Sequence, residues 1–177
     1  SMEIETFVDT SGFYALLVER DPMHARTRAI LHRAETSRSG FVTTDYCLDE
    51  TATLLKARGL GRLVAPLFES VFASKACRIE WMDPDRFEQT RQFFGKHQDH
   101  PWSFTDCFSF CLMRELRLTD SLTTDEHFRQ AGFKPLLVGA PSSSGAEVRC
   151  HRAGLHRRPT GNGLLLLCTI AARHIRK

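Results

Sequence analysis

The sequence of 177 residues is 42% apolar and has a formal net charge of +3, which suits one globular domain with a substantial core. The first residues contain neither a basic region nor a long apolar run, so we expect no signal peptide and no membrane span. Six cysteines without a CxxC pair are typical of free thiols in a core and of a reduced, cytoplasmic compartment.

The chain opens with a short strand and an apolar segment. Residues 3–8 are predicted as the strand, and a turn at residues 9–12 leads into residues 13–18. Asp9 therefore follows the strand directly. An aspartate at that position commonly caps the next helix, so capping is one interpretation of Asp9 and function is the other.

A proline marks the second predicted helix. Asp21 precedes Pro22, and proline is favoured at the first helical position. The helix is predicted to end near Ser39 and Gly40. Its buried face is predicted from residues at helical spacing, which are Ala25, Ala29, Ile30 and Ala34.

Residues 45–58 have helical spacing after a brief strand at residues 41–43. On the helical wheel Glu50 lies at the edge of the apolar arc and can face the interior, whereas Asp49 points away from that arc. Glu50 has two interpretations, a salt bridge to a neighbouring basic residue or a metal ligand.

The rest of the chain repeats the alternation of strands and helices, which predicts an α/β fold with a mainly parallel sheet. The predicted strands are residues 77–81, 121–123 and 133–138. The predicted helices are residues 63–72, residues 84–96, a buried apolar helix after Ser103, and residues 126–131.

Two further aspartates lie near predicted element ends. Asp106 is three residues after Ser103, so it suits the positive end of a capped helix as well as a functional site. Asp125 follows a predicted strand, as Asp9 does. Ligands gather at the carboxyl edge of open α/β sheets, so the strand-end acids are candidates for one site.

The carboxyl-terminal part of the chain has a different composition. Residues 141–177 contain seven lysines and arginines and one acid, a net charge of +6, whereas the other 140 residues carry 17 − 20 = −3. We predict a domain over residues 1–139 and a basic tail over residues 140–177. The tail has three interpretations: a non-native or disordered extension from translation past the natural end of the gene, an RNA-binding tail, or a segment that docks on the domain.

Four segments together resemble one protein family. FVDTSGFYALL, TTDYCLDETATLL, WSFTDCFSFCLM and TTDEHFRQAGF resemble, in order and spacing, the acidic segments of PIN-domain ribonucleases of the VapC toxin type, across residues 4–138. The resemblance implies a PIN-like α/β/α sandwich around a mainly parallel sheet. It also implies endonucleolytic cleavage of RNA with Mg²⁺ or Mn²⁺, control by an antitoxin protein, and a homodimer.

The resemblance also implies a set of site residues. Those that match the family's acidic quartet, as catalytic residues and metal ligands, are Asp9, Glu50, Asp106 and Asp125. Those that match as supporting hydroxyls are Thr10, Ser11 and Thr124. Carboxylates held together repel unless a hard divalent cation neutralises them, and oxygen ligands favour Mg²⁺ or Mn²⁺ over Zn²⁺.

Two alternatives remain. The first is a non-catalytic PIN scaffold that binds RNA or a protein partner, although a scaffold has no need of four mutually repelling acids. The second is a zinc site, because Cys107 and Cys111 lie one helical turn apart and His97 and His100 are nearby. The cysteines are more simply interpreted as core residues.

Overall fold

The computed structural model describes residues 4–139, and the predicted tail over residues 140–177 lies outside the described residues. Strands and helices alternate along the described chain, with one 3-10 helix at Gly61–Leu63. The strands are β1 (Glu5–Val8), β2 (Gly40–Thr44), β3 (Cys77–Glu80), β4 (Asp120–Leu122) and β5 (Lys134–Pro135). The helices are α1 (Thr10–Leu17), α2 (His24–Ser37), α3 (Asp45–Ala57), α4 (Val64–Ala73), α5 (Pro84–Lys96), α6 (Phe104–Glu115) and α7 (Glu126–Gln130).

The five strands form one parallel sheet in the order β3-β2-β1-β4-β5. Phe7 of β1 pairs with Val42 of β2 on one side and with Ser121 of β4 on the other. All carboxyl ends therefore lie at one edge. The strand order changes direction between β1 and β4, which is where a ligand crevice forms in open α/β sheets. The predicted parallel sheet is confirmed.

Helices pack through hydrophobic side chains on both faces of the sheet, which forms the α/β/α sandwich predicted from the sequence. Phe7 and Val42 pack into a cluster with residues of α6 and α7, whereas Val8 and Phe41 pack into another with residues of α1 to α4. This alternation follows from the period of two along each strand. No helix within residues 4–139 combines the length and the apolar character needed to cross a membrane.

Helix α1 packs unusually close to β4. A β-carbon placed on Gly12 would overlap the carbonyl oxygen of Leu122, the last residue of β4. Glycine is therefore required at this position by the close approach of two backbones. The contact fixes the start of α1 beside the end of β4.

The predicted start of the second helix is wrong, and its predicted buried face is confirmed only in part. Helix α2 begins at His24, because the Asp21 carboxylate accepts a hydrogen bond from the Met23 N–H at 2.8 Å and closes a turn before the helix. Ala25 and Ala29 are exposed. Ala34 is buried and Ile30 packs against the core, as predicted, and the other buried residues of α2 are Thr27 and Leu31.

The last strand is shorter than predicted. Strand β5 contains only Lys134 and Pro135, and a proline is tolerated there because β5 is an edge strand whose bonds to β4 come from the N–H groups of Lys134 and Leu136. The backbone N–H groups of Leu136 and Leu137 still donate to the carbonyls of Ser121 and Thr123, at 2.8 and 3.1 Å. The segment therefore continues to cover the end of β4.

Candidate active site

Asp9, Ser11 and Thr123 form a hydrogen-bonded cluster, here called the inner group, where β1 and β4 end. Asp9 is 7% exposed and caps α1. Its Oδ2 accepts hydrogen bonds from Thr123 Oγ1 at 2.9 Å and from Ser11 Oγ at 3.1 Å. The two hydroxyl oxygens are 2.9 Å apart. The inner group therefore fixes a buried carboxylate with hydroxyls from two elements.

Asp125 is tied to the inner group through its backbone. Its N–H donates to Thr123 Oγ1 at 3.0 Å, and the N–H of Thr124 donates to Ser11 Oγ at 3.0 Å. The side chain caps α7, with Oδ1 accepting from the His127 N–H at 2.9 Å. These bonds determine the position of Asp125 beside Asp9.

Asp106 serves as a helix cap and also lies in this cluster of acids. Its N–H donates to Ser103 Oγ at 3.0 Å, and the Ser103 N–H donates to Asp106 Oδ2 at 2.8 Å, which completes a capping box at the start of α6. The same Oδ2 lies 3.4 Å from Nδ1 of His127. Capping and membership of the site are therefore compatible.

His127 lies between two of the acids, and sequence reasoning missed it. Its Nδ1 is 3.4 Å from Asp106 Oδ2 and 3.3 Å from Asp125 Oδ2, yet this nitrogen is inaccessible to solvent and forms no hydrogen bond with any described residue. We call Asp106, Asp125 and His127 the outer group. Within residues 4–139 it is the one cluster of three or more His, Cys, Asp or Glu residues close enough to share a metal ion.

Glu50 lies on α3 at the rim of the site. Its side chain is exposed rather than turned toward the interior as predicted from the helical wheel. A hydrogen bond with the Thr105 side chain of α6 and electrostatic repulsion from Asp9 and Asp106 connect Glu50 to the other acids. The structure thus brings all four predicted acids to one edge of the sheet, with Glu50 on the outside.

Three of the acids are held in surroundings that disfavour their charge. Burial raises the pKa of Asp9, despite hydrogen bonds from Thr123 and Ser11, and the charge of Asp106 raises it further. Burial also raises the pKa of Asp106, to which Asp125 adds. Partial burial and then repulsion from Asp9 raise the pKa of Glu50. A bound cation would relieve both effects.

The chain matches characterised ribonucleases over most of its length. It is 32% identical over 128 residues to proteins named 23S rRNA-specific endonuclease VapC20 in two strains of Mycobacterium tuberculosis, covering 72% of this chain and 94% of each relative. The chain belongs to the VapC family of PIN-domain ribonuclease toxins. No protein-family model matches the sequence.

A solved VapC structure shares the fold. The crystal structure of Mycobacterium tuberculosis VapC20, described as a sarcin-ricin loop cleaving toxin, superposes with a TM-score of 0.63 at 29% identity. The match covers 72% of this chain and 95% of that one. The predicted VapC family, PIN-like fold and RNA-cleaving class are therefore confirmed, whereas the roles of individual residues and the metal dependence stay predictions.

The three hydroxyls expected to support the acids lie in different places. Ser11 bonds to Asp9, as described above. Thr10 Oγ1 instead donates to the carbonyl of Cys47 at 3.5 Å, and Thr124 is exposed and contributes only its N–H to the inner group. Thr123 supplies the second hydroxyl. The signal that could have identified it is its position, because Thr123 directly follows β4 as Asp9 directly follows β1.

The alternative zinc site does not form. His97 Nδ1 lies 2.8 Å from the Phe93 carbonyl oxygen, and the His100 ring stacks on Trp102 with centroids 3.9 Å apart. Cys107 of α6 is buried in the core together with Phe128 of α7. These side chains are part of an aromatic core, and the metal cluster found within residues 4–139 is the outer group alone.

Proposed function

We propose that this VapC protein is a metal-dependent endoribonuclease whose active site contains Asp9, Glu50, Asp106 and Asp125. The observation that carries the proposal is the convergence of these acids at the carboxyl edge of the sheet, beside the β1–β4 crevice. Burial and mutual repulsion raise the pKa of three of them, which is a feature of functional sites.

The donor set fits a divalent cation such as Mg²⁺ or Mn²⁺. Within residues 4–139, no lysine or arginine forms an ion pair with Asp9, Asp106 or Asp125, so no permanently charged side chain there neutralises them. Carboxylate oxygens are the ligands that Mg²⁺ and Mn²⁺ prefer. A bound divalent cation lowers the pKa of water and neutralises charge that develops on a phosphate.

The protein's own part is to hold the carboxylates in fixed orientations. Hydroxyls hold one oxygen of Asp9, the Ser103 N–H holds one oxygen of Asp106, and the His127 N–H holds one oxygen of Asp125. Little reorganisation is then needed during the reaction. Glu50, exposed at the rim and with a raised pKa, is suited to accept a proton from the attacking water.

The names of the relatives support a substrate class and a type of partner for this chain. VapC20 is named as a 23S rRNA-specific endonuclease, which supports ribosomal RNA as the substrate class of this chain. As a VapC toxin, the protein is expected to be controlled by an antitoxin protein in the cytoplasm. The homodimer and the separate basic tail over residues 140–177 stay predictions.

The test is cleavage of purified ribosomes and of free 23S rRNA by the full chain, with EDTA or with added Mg²⁺ or Mn²⁺, followed by mapping of the cut ends. We expect one or a few discrete cuts that EDTA abolishes and the ions restore. Cleavage that persists in EDTA would contradict the metal-dependent mechanism. Binding of rRNA without any cleavage would support the non-catalytic scaffold instead.

A further inference from the structure

His127 has a ring nitrogen to which the described part of the chain makes no hydrogen bond. Nδ1 is shielded from solvent and lies 3.3 to 3.4 Å from oxygens of Asp106 and Asp125, outside the directions a hydrogen bond needs. Buried polar atoms in folded proteins almost always have a partner. A buried nitrogen that lies between two carboxylates but forms no hydrogen bond with them is therefore a position where a ligand is expected.

The local structure fixes the ring there. The His127 N–H donates to Asp125 Oδ1, so the residue lies in the first turn of α7, directly after the acid that caps that helix. Asp106 reaches the same point from α6, where its capping box holds it. The three donor atoms lie within 4.8 Å of one another, which is close enough for one ion to bind all of them.

We propose that His127 Nδ1 is a direct ligand of the divalent ion and that it biases the site toward transition-metal ions such as Mn²⁺ over Mg²⁺. The inference rests on the proposed metal-dependent function, which needs only the four acids. Mg²⁺ strongly prefers oxygen ligands, whereas an imidazole nitrogen suits transition metals. An outer group of two carboxylates and one imidazole therefore favours Mn²⁺ over Mg²⁺ by a larger difference in affinity than a site of carboxylates alone.

A different role for His127 has the opposite consequence. If its imidazolium served as a cation that neutralises Asp106 and Asp125, a divalent ion would have to displace it. Removing the ring would then leave the affinity for divalent ions unchanged or raise it. The sign of the change in affinity separates the two roles.

The experiment measures ion binding directly on the full chain. Calorimetric titrations with Mn²⁺ and with Mg²⁺ compare the wild type with His127→Ala, His127→Asn and the control His32→Ala, which removes a histidine whose side chain is 71% exposed on α2. Electron spin echo envelope modulation spectroscopy of bound Mn²⁺ shows whether a nitrogen atom is a ligand of the ion. Circular dichroism and thermal unfolding confirm that each variant is folded.

We expect the wild type and His32→Ala to show the modulation signal of a coordinated nitrogen, and both His127 variants to lose that signal. Their Mn²⁺ affinity should fall by about tenfold or more, with a smaller loss for Mg²⁺. Mn²⁺ bound through oxygen alone in the wild type, or an unchanged or higher Mn²⁺ affinity in His127→Ala, would overturn this inference and leave the proposed function standing. A wild type that binds no divalent ion and cleaves RNA in EDTA would overturn both.

Discussion

The inner and outer groups hold their carboxylates in opposite ways. Asp9 is 7% exposed and its oxygen is bonded by two hydroxyls, whereas the Asp125 side chain is 34% exposed and faces an imidazole nitrogen without a hydrogen bond. The inner group is satisfied by the protein itself, and the outer group keeps donor atoms available. We therefore expect the inner group to hold its carboxylate rigidly and the outer group to supply ligand atoms for an ion.

The largest effect is expected from Asp9→Asn, which removes the charge of the inner group but keeps its shape. Cleavage of 23S rRNA should fall by about a thousandfold, measured as the initial rate with Mn²⁺. Stability should not fall with it. Burial disfavours the Asp9 charge, so a neutral side chain of the same size leaves the free energy of unfolding in EDTA equal or higher. Cleavage at the wild-type rate would remove Asp9 from the mechanism.

The next largest effect is expected from a change of Glu50, which tests whether this exposed acid acts together with the inner and outer groups. Glu50→Gln should lower the cleavage rate by about a hundredfold, because it removes a carboxylate that interacts with Asp9 and Asp106. Asp49→Asn, a matched change at the adjacent exposed residue, should leave the rate near that of the wild type. The reverse pattern would mean that Asp49 is the functional acid of α3.

A smaller effect is expected from Thr123→Val, which removes the hydroxyl that joins Asp9 to the backbone of Asp125. The free energy of unfolding should fall by about 1–3 kcal/mol, since buried polar groups lose a partner. Chemical denaturation in EDTA measures this change, and the rate of RNA cleavage should fall too. Thr124→Val is the control. Its side chain is exposed, and equal losses in both variants would contradict the role assigned to Thr123.

The smallest effect is a dependence of stability on pH. Burial raises the pKa of Asp9 above its ordinary value of 3.8, so the folded protein binds this proton more tightly than the unfolded chain does. The resulting stabilisation is fully present below the unfolded pKa and is lost as the pH rises through the folded pKa. Urea denaturation in EDTA from acid to neutral pH should therefore show Asp9→Asn gaining stability relative to the wild type. A difference that is independent of pH would contradict the raised pKa.

Local signals in the sequence were enough for much of the fold. Helix α5 has its predicted bounds because Asp83 caps it and Pro84 suits its first position. The buried face of α2 could not be predicted in the same way. That helix buries Thr27 together with Leu31 and Ala34 and leaves two alanines exposed, so apolar spacing alone marks only part of its buried side.

The site could be predicted only in part, because one of its residues is brought there by the packing of two helices. The four acids follow from the family register, and the strand ends that bring Asp9 and Asp125 together follow from a parallel sheet. His127 could not be found this way, because its significance depends on how close α6 and α7 approach each other. That distance is set by the packing of Phe110 against Phe128, with ring centroids 5.0 Å apart, and no local pattern encodes it.

The close approach at Gly12 has a genetic consequence. Every substitution of this glycine adds a β-carbon that overlaps the Leu122 carbonyl, so any such change must push α1, and the Asp9 that caps it, away from β4. The residue contributes no atom to the chemistry. We therefore expect cells that survive expression of the toxin to carry replacements of Gly12 as well as of the acids, because a replacement of Gly12 displaces the carboxylate of Asp9.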